Sequence, residues 1–531
     1  MSTPGAGRTA GDGLRAEPMQ HGSAAGFERS AVEPLDEHNR TLLANVAPAT
    51  WRNPAPARRY NLVVLGAGSG GLISAAVAAG LGARVALVER NLMGGDCLNF
   101  GCVPSKTLIR CARRVAEAQA LLGSQPLDHE RLDEEFARAM ARVRAARAEI
   151  SADDSAHRYR DEMGIDVFIG SARFTSADAI DVGGATLRFR KAIVASGARA
   201  AVPPVPGLAE AGFLTNETIF NLTQRPRRLA VIGGGPIGCE LAQAMARLGC
   251  QVTVLDVAAR LLPREDADAA DIVARRLVRD GVSLALGVEI SGVTRSAGGR
   301  TVRYTSARGA GEVVVDEILV ATGRAPNVEG LGLEAAGVRF GKRGIEVDDN
   351  LRTTNAAVFA VGDCCLQWQF THAADAAAKI AVQNALFFGR KKMSGLAMPW
   401  CTFTDPEVAH VGLYEDEARE RGIALDTFTI PLSKVNRAVC DGETDGFVRI
   451  HTKKGTPDIL GATIVASHAG EMISQVTLAM AGKLSLATIA GVIHPYPTQA
   501  EGIKAAANSY MRTRLTPLAK AVLGGILRLT R

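Results

Sequence analysis

Cysteine is scarce in this chain: nine residues in 531, and none before Cys97. That is too thin for a secreted scaffold stapled by disulfides. Charge of one sign is also in short supply. The net formal charge is +6 and the pI is near 8.9, with no large Lys/Arg cluster outside the C-terminal end. A nucleic-acid binder would show a stronger basic footprint. No charged-then-apolar leader opens the sequence, and no apolar run reaches the ~18 residues of a membrane-spanning helix. These absences together give an expectation of a cytoplasmic protein in a reducing compartment, without a nucleic-acid partner. What is plentiful is glycine, 56 of 531 residues, against an average of about 7 %. The length predicts several domains, loosely three or four.

Two stretches absorb much of that glycine. A buried-strand pattern over 61–65 runs into Gly66-Ala67-Gly68-Ser69-Gly70-Gly71, then a small-residue helix over 72–81 and a strand over 84–88 ending at Glu89. The second begins with a strand over 228–232 and reads Gly233-Gly234-Gly235-Pro236-Ile237-Gly238. A helix over 239–248, a strand over 251–255 and Asp256 follow. Each is a GxGxxG turn, at Gly66, Gly68 and Gly71 and at Gly233, Gly235 and Gly238, with an acid 23 positions after its first glycine. Glycines let the backbone approach a pyrophosphate at a helix N-terminus, and the acid accepts from ribose hydroxyls. Two such units in one chain predict two dinucleotides side by side. Asp256 would bond both ribose hydroxyls and repel a 2′-phosphate, which points to NADH. Arg260 nearby keeps NADPH open.

Between these sites lies Gly94 to Lys106, GGDCLNFGCVPSK. Cys97 and Cys102 are five positions apart, a rise of about 7.5 Å in an α-helix. That exceeds the roughly 7 Å Cα limit for a disulfide, so a bridge needs a bent backbone. Asn99 and Gly101 lie inside the loop to allow it. Pro104 suits the first turn of a helix reaching about Ala118, with Cys102 at its positive end, where a thiolate is favoured. A small strained loop of this kind is easily reduced and re-formed. A structural bridge or two inert thiols is the plainer alternative.

The thirteen-residue string resembles the redox-active segment of the FAD-dependent pyridine nucleotide–disulfide oxidoreductases, which include dihydrolipoamide dehydrogenase, glutathione reductase and mercuric reductase. The resemblance runs from about Tyr60 to Tyr510. It implies an α/β fold with two Rossmann-like dinucleotide-binding domains, for FAD and NAD(P), and a C-terminal α+β dimerisation domain. The expected boundaries are 1–59 for a disordered tail and linker, 60–222 for the FAD domain with the redox cysteines and 223–325 for the NAD(P) domain. A return to the FAD domain over 326–398, a dimerisation domain over 399–513 and a basic tail over 514–531 complete the chain.

The resemblance makes Cys97 the interchange thiol and Cys102 the thiol against the flavin. It pairs Lys106 with Glu240 beneath the flavin, where a cation stabilises arriving negative charge. Gly95, Gly197 in KAIVASG, Gly323 in LVATGRAPN, and Asp363 in TNAAVFAVGD join the cofactor site, with Asp363 on the ribitol chain. A helix starting at about Phe370 would face the flavin pyrimidine. Adjacent Cys364 and Cys365 read as small residues after a turn, in preference to a relay for an ion or an electron pair. The Arg/Ala-rich helix over 130–154, with Arg138, Arg142, Arg144 and Arg147, reads as a solvated face.

The C-terminal domain departs from the family at one position. His494 to Glu501, HPYPTQAE, is similar to the family's HxHPTxxE string, whose second histidine is the general acid/base reaching the partner subunit's site. Here that position is Tyr496. A phenol titrates near pH 10 and is a poor base at neutrality. A dithiol substrate is therefore disfavoured, unless His494 takes over as base with Glu501 retained. Mercuric reductases carry tyrosine at this place too. A soft ion such as Hg(II), held transiently by Cys97 and Cys102, needs no base.

Two features that the resemblance associates with mercuric reductases are not expected here: a cysteine-bearing metal-binding domain ahead of the FAD domain, since no cysteine precedes Cys97, and a vicinal cysteine pair near the C-terminus, since none follows Cys440. The acid at position 256 also departs from the NADPH-using mercuric reductases. The leading expectation is a homodimeric reductase of a metal-ion acceptor. The alternatives are an NADH-dependent reductase of a small-molecule acceptor, an unidentified disulfide or quinone, and a flavin redox sensor. The segment over 518–531 reads as a packed or frayed end in preference to an amphipathic helix making peripheral membrane contact.

Overall fold

The computed structural model describes residues 30–123 and 127–530. Residues 1–29 of the tail and linker expected over 1–59 fall outside that range. A first sheet has a parallel core of Asp166–Ile169, Val85–Glu89, Tyr60–Leu65 and Ala185–Val194, with Val358–Ala360 also joined to the last of these. The antiparallel strands Ala172–Ser176 and Ala179–Val182 extend its edge. Strand Tyr60–Leu65 is apolar at nearly every position because both its faces are covered: helices Ser69–Gly80 and Thr371–Leu386 pack on one, and strands Ala172–Ser176 and Ala179–Val182 with the chain over 328–345 pack on the other. A second parallel sheet orders Ser283–Leu286, Gln251–Asp256, Arg228–Ile232 and Glu317–Val320. A three-stranded meander over Glu289–Ser296, Gly299–Ser306 and Gly309–Val315 adjoins it.

The C-terminal sheet is antiparallel, in the order Pro399–Thr402, Glu407–Gly412, Ile459–Ala466, Phe447–Lys453 and Leu425–Pro431. Helices Ala469–Ala481 and Glu501–Thr513 bury Ile473, Val476, Ile503 and Tyr510 in its core.

Several helices begin earlier than the sequence pattern suggests. The two fingerprint helices run Ser69–Gly80 and Pro236–Arg247, three residues ahead of the expected starts. Their N-caps are Gly68 and Gly235, so glycines that read as loop form the first turn. The Pro-rich stretch over 47–56 is no free linker. Trp51 Nε1 donates to Val167 O (3.3 Å), and Asn53 pairs with both main-chain groups of Ile169 along the first sheet's edge. Helix Glu37–Val46, capped by Asp36, packs beside helix His129–Ile150.

Candidate active site

The two glycine turns are geometric twins. A Cβ at Gly71 would lie 1.8 Å from Gly66 O, and one at Gly238 would lie 1.9 Å from Gly233 O. Glu89 accepts from Ala67 N–H (2.6 Å) and Asn91 N–H (2.7 Å). Asp256 does the same with Gly234 N–H and with Ala258 N–H (2.7 Å). Each carboxylate thus clamps its own turn and the loop after its strand, with lone pairs left for sugar hydroxyls. Burial raises the pKa of Glu89, and the two N–H donors work against that shift. Arg260 is committed elsewhere: its guanidinium donates to Glu265 O and Pro263 O, both at 2.8 Å.

The redox segment is two helices with a break between them. Cys97 lies in the short helix Gly95–Asn99, and Cys102 is the first residue of Cys102–Leu122, which starts two residues before the expected Pro104. The bend falls at Phe100 and Gly101, where a Cβ on Gly101 would meet Asp96 O at 3.0 Å. Gly95 packs on Gly68 so tightly that a Cβ would sit 2.5 Å from the Gly68 Cα. The first glycine turn and the redox loop therefore touch backbone to backbone.

Both cysteines are present as thiols. The Cys97 thiol hydrogen-bonds the Cys102 sulfur, which raises the pKa of Cys97 and lowers that of Cys102 to about 6. Thr371 Oγ1, 3.4 Å from Cys102 Sγ, and the Lys106 charge favour the Cys102 thiolate, while burial opposes it. Lys106 Nζ donates to Glu240 Oε2 at 2.8 Å and lies 4.5 Å over the Phe403 ring. The other Glu240 oxygen accepts from Phe403 N–H (2.8 Å). Burial works against the Lys106 charge, and the Glu240 carboxylate more than restores it.

Sequence reasoning missed four residues here. Thr371 begins helix Thr371–Leu386, and only its place after Phe370 hinted at it. Phe403 lies between the C-terminal sheet's first two strands, Pro399–Thr402 and Glu407–Gly412, in a string that reads only as dimerisation sheet. Arg324, one residue past Gly323, reaches both Asp96 and Asp363 at 3.3 Å. It also donates to Ala198 O (2.9 Å). Its strand Arg324–Pro326 pairs with Ala198–Ala200, which brings the KAIVASG and LVATGRAPN strings, with Gly197 and Gly323, together.

Arg147 is the fourth, and it corrects the solvated-face reading. It is fully buried, donating to Asn99 O (3.0 Å) and Asn39 Oδ1 (3.1 Å). Arg144 is likewise enclosed and pairs with Asp36 at 2.6 Å. Arg138 and Arg142 are exposed as expected. The Cys364 thiol donates to main-chain carbonyls of Val194 and Val361, and the Cys365 thiol to that of Gly362.

The C-terminal trio is not brought to the thiols within one chain. Tyr496 is 69 % exposed, its hydroxyl accepting from Asn436 Nδ2 (3.1 Å). His494 pairs with Gln475 (2.7 Å) and with Val492 O (3.2 Å), not with Glu501. None of the three lines the cavity that holds Cys97 and Cys102. That cavity is continuous from Glu89 past the thiols to Asp256, about 4730 Å³. It is several times the ~300–1,000 Å³ that encloses a drug-sized ligand, as two dinucleotides require. Among the described residues no cluster of three or more His, Cys, Asp or Glu is arranged for a resident metal.

Two nucleotide turns meeting at a thiol pair define a flavoprotein disulfide oxidoreductase. The chain belongs to the pyridine nucleotide-disulphide oxidoreductase family, whose model matches residues 60–378, and the family's dimerisation domain matches 398–507. It is 34 % identical to a mercuric reductase of Lysinibacillus sphaericus over 496 residues, covering 91 % of this chain and 88 % of that one. It is 33 % identical to a dihydrolipoyl dehydrogenase of Thermus scotoductus over 467 residues, covering 85 % and 97 %. Among solved structures it is similar to the Cu(II) complex of the HOCl-induced flavoprotein disulfide reductase RclA from Escherichia coli. The TM-score is 0.75 at 30 % identity, over 83 % of this chain and 98 % of that one. The family is FAD-dependent and uses a pyridine nucleotide, and its dimerisation domain supports a homodimer.

Proposed function

We propose that this chain is an NADH-dependent metal-ion reductase that delivers two electrons to a soft cation of the Hg(II) type through Cys97 and Cys102. The carrying observation is a thiol pair with split acidities that opens into the cofactor cavity and has Tyr496 where a basic histidine would serve a disulfide substrate. Similarity to mercuric reductases, and to a flavoprotein reductase solved with Cu(II), supports a thiophilic ion.

The Glu89 turn, the redox loop, Asp363 and Arg324 suit FAD, since glycines 66, 71 and 95 let the turn and the redox loop close backbone to backbone and Gly68 leaves no side chain between them. Bound FAD supplies the two-electron relay between a nicotinamide and a dithiol. Lys106, fixed by Glu240, places positive charge where negative charge accumulates. Cys102 carries the thiolate, and Cys97 keeps its proton until the incoming ion displaces it. Both sulfurs then hold the cation as a dithiolate. One NADH gives up a hydride, the ion takes two electrons to the zero-valent metal, and NAD⁺ and a proton are released.

NADH is favoured over NADPH because Asp256 occupies the ribose end and Arg260 is tied to carbonyls instead of facing a 2′-phosphate. Asp256→Ala is expected to raise the KM for NADH about tenfold, the worth of one charge-assisted hydrogen bond of ~1.5 kcal/mol. Steady-state kinetics with both nucleotides checks this, and an unchanged NADH KM contradicts the ribose assignment.

The match to a dihydrolipoyl dehydrogenase sustains one other reading, a disulfide reductase. The two separate when NADH-reduced protein is challenged anaerobically with Hg(II), Cu(II), glutathione disulfide or a quinone. Reoxidation by the metal ions is expected. Reoxidation by glutathione disulfide alone overturns the metal assignment.

A further inference from the structure

Helix Pro517–Leu529 lines no part of the redox cavity of its own chain and has no buried residue. It is encoded locally: Thr516 Oγ1 accepts from Ala519 N–H (3.2 Å), and Pro517 takes the first helical position. Of the packed or frayed end expected, the packed alternative fails, since Leu518 is 75 % and Leu529 88 % exposed. Val522, Leu523, Ile526 and Leu527 are exposed as well. At 3.6 residues per turn, Leu518, Val522, Ile526 and Leu529 share one stripe, which Leu523 and Leu527 widen. Lys520, Gly524 and Arg528 fill the narrow remaining face. A helix this short with Gly524 and Gly525 inside it is marginal in water. It needs a surface to lie on.

The charge distribution identifies that surface. The chain has 61 Lys and Arg against 55 Asp and Glu. Residues 502–531 hold six bases (Lys504, Arg512, Arg514, Lys520, Arg528 and Arg531) and no acid, so the remainder is balanced. The whole formal surplus falls within residues 502–531 of the sequence, the stretch that contains this helix. Packing of this helix on its own copy across a two-fold would set the basic cluster against its image, whereas anionic headgroups neutralise it. Thirteen helical residues rise about 20 Å, too little to cross a hydrocarbon core of about 30 Å.

We propose that Pro517–Leu529 lies in the plane of an anionic bilayer surface, its apolar stripe in the acyl boundary and its bases on phosphate headgroups. The helix makes the reductase peripheral to such a membrane, independently of the electron acceptor.

The test sediments the FAD-bound full chain with vesicles of phosphatidylcholine alone or with added phosphatidylglycerol. Co-sedimentation with the anionic vesicles only, weakened by salt, is expected. Lys520→Gln with Arg528→Gln should lower partitioning about 30-fold, or about fivefold per charge at ~1 kcal/mol each. Leu523→Glu with Ile526→Glu should abolish it while lipid-free NADH oxidation with ferricyanide stays unchanged. Hydrogen exchange of 517–529 should slow only when anionic vesicles are present. Absence of sedimentation, equal binding to both vesicle types, or slow exchange without lipid, which means a second copy covers the helix, overturns the proposal.

Discussion

Cys102 shows how neighbours set the chemistry of one residue. The Cys97 thiol donates to its sulfur, Thr371 and Lys106 add to the effect, and burial resists it, with the pKa falling to about 6. A lowered pKa means the thiolate persists on the alkaline side and is protonated as pH falls through that value. The long-wavelength thiolate–flavin absorbance of the reduced protein is therefore expected to disappear with a midpoint near 6. Thr371→Val should move the midpoint up by roughly one unit, about the worth of a lost hydrogen bond to a charged group. An anaerobic spectral titration checks both. A midpoint near that of a free thiol contradicts the geometry. The sequence displayed Cys102 and Lys106 because they stand in one short string. It did not display Thr371, which arrives from 269 residues away on the start of another helix.

At the scale of elements, helix Glu37–Val46 and the redox segment are joined through a third helix. Arg147 projects from His129–Ile150 and donates to Asn99 O in the redox loop and to Asn39 in the N-terminal helix. Asn39 Nδ2 in turn donates to Pro34 O (2.8 Å), and its backbone N–H to Asp36 Oδ1 (2.9 Å). Burial lowers the pKa of Arg147 to about 10, so it stays charged at neutral pH. Arg147→Met should leave both acceptors unpaired and cost about 2–4 kcal/mol. A lowered denaturant midpoint, together with weaker thiolate–flavin absorbance at equal FAD content, is the expected result. An unchanged midpoint would show that the tie carries no stability.

This element also marks where legibility stopped. The Gly-rich turns were readable because strand, turn, helix and acid follow within about two dozen residues. An Arg/Ala helix has the same composition whether its arginines meet water or a buried carbonyl. What decided Arg147 was a partner helix 108 positions earlier in the chain. The 47–56 stretch was misread for a related reason. Prolines rule out helix, but they do not prevent docking along a sheet edge.

Over the whole molecule, the C-terminal sheet is fastened to the second nucleotide unit by polar ties. Arg247 bridges Asp280 (2.9 Å) and Asp405 (2.8 Å), and Glu265 accepts from both Trp400 (2.9 Å) and Tyr414 (2.6 Å). The Lys106–Glu240 pair closes against Phe403 by the same assembly. The two nucleotide units were legible because each announces itself by the same local motif, and the C-terminal sheet only through the resemblance. The placing of Tyr496, His494 and Glu501 was not, since none of the three lines the thiol cavity of its own chain, Tyr496 is exposed, and the family's dimerisation domain supports a homodimer. Among the described residues no helix is long and apolar enough to cross a membrane.

The account stands on reducing equivalents passing from a nucleotide held near Asp256 into the Cys97–Cys102 pair. Anaerobic addition of one equivalent of NADH to the oxidised holoprotein, with thiols alkylated and mapped before and after, measures this directly. The expected result is two newly alkylated cysteines, Cys97 and Cys102, with long-wavelength absorbance appearing at the same rate. A flavin that bleaches while both cysteines remain unmodified would contradict it.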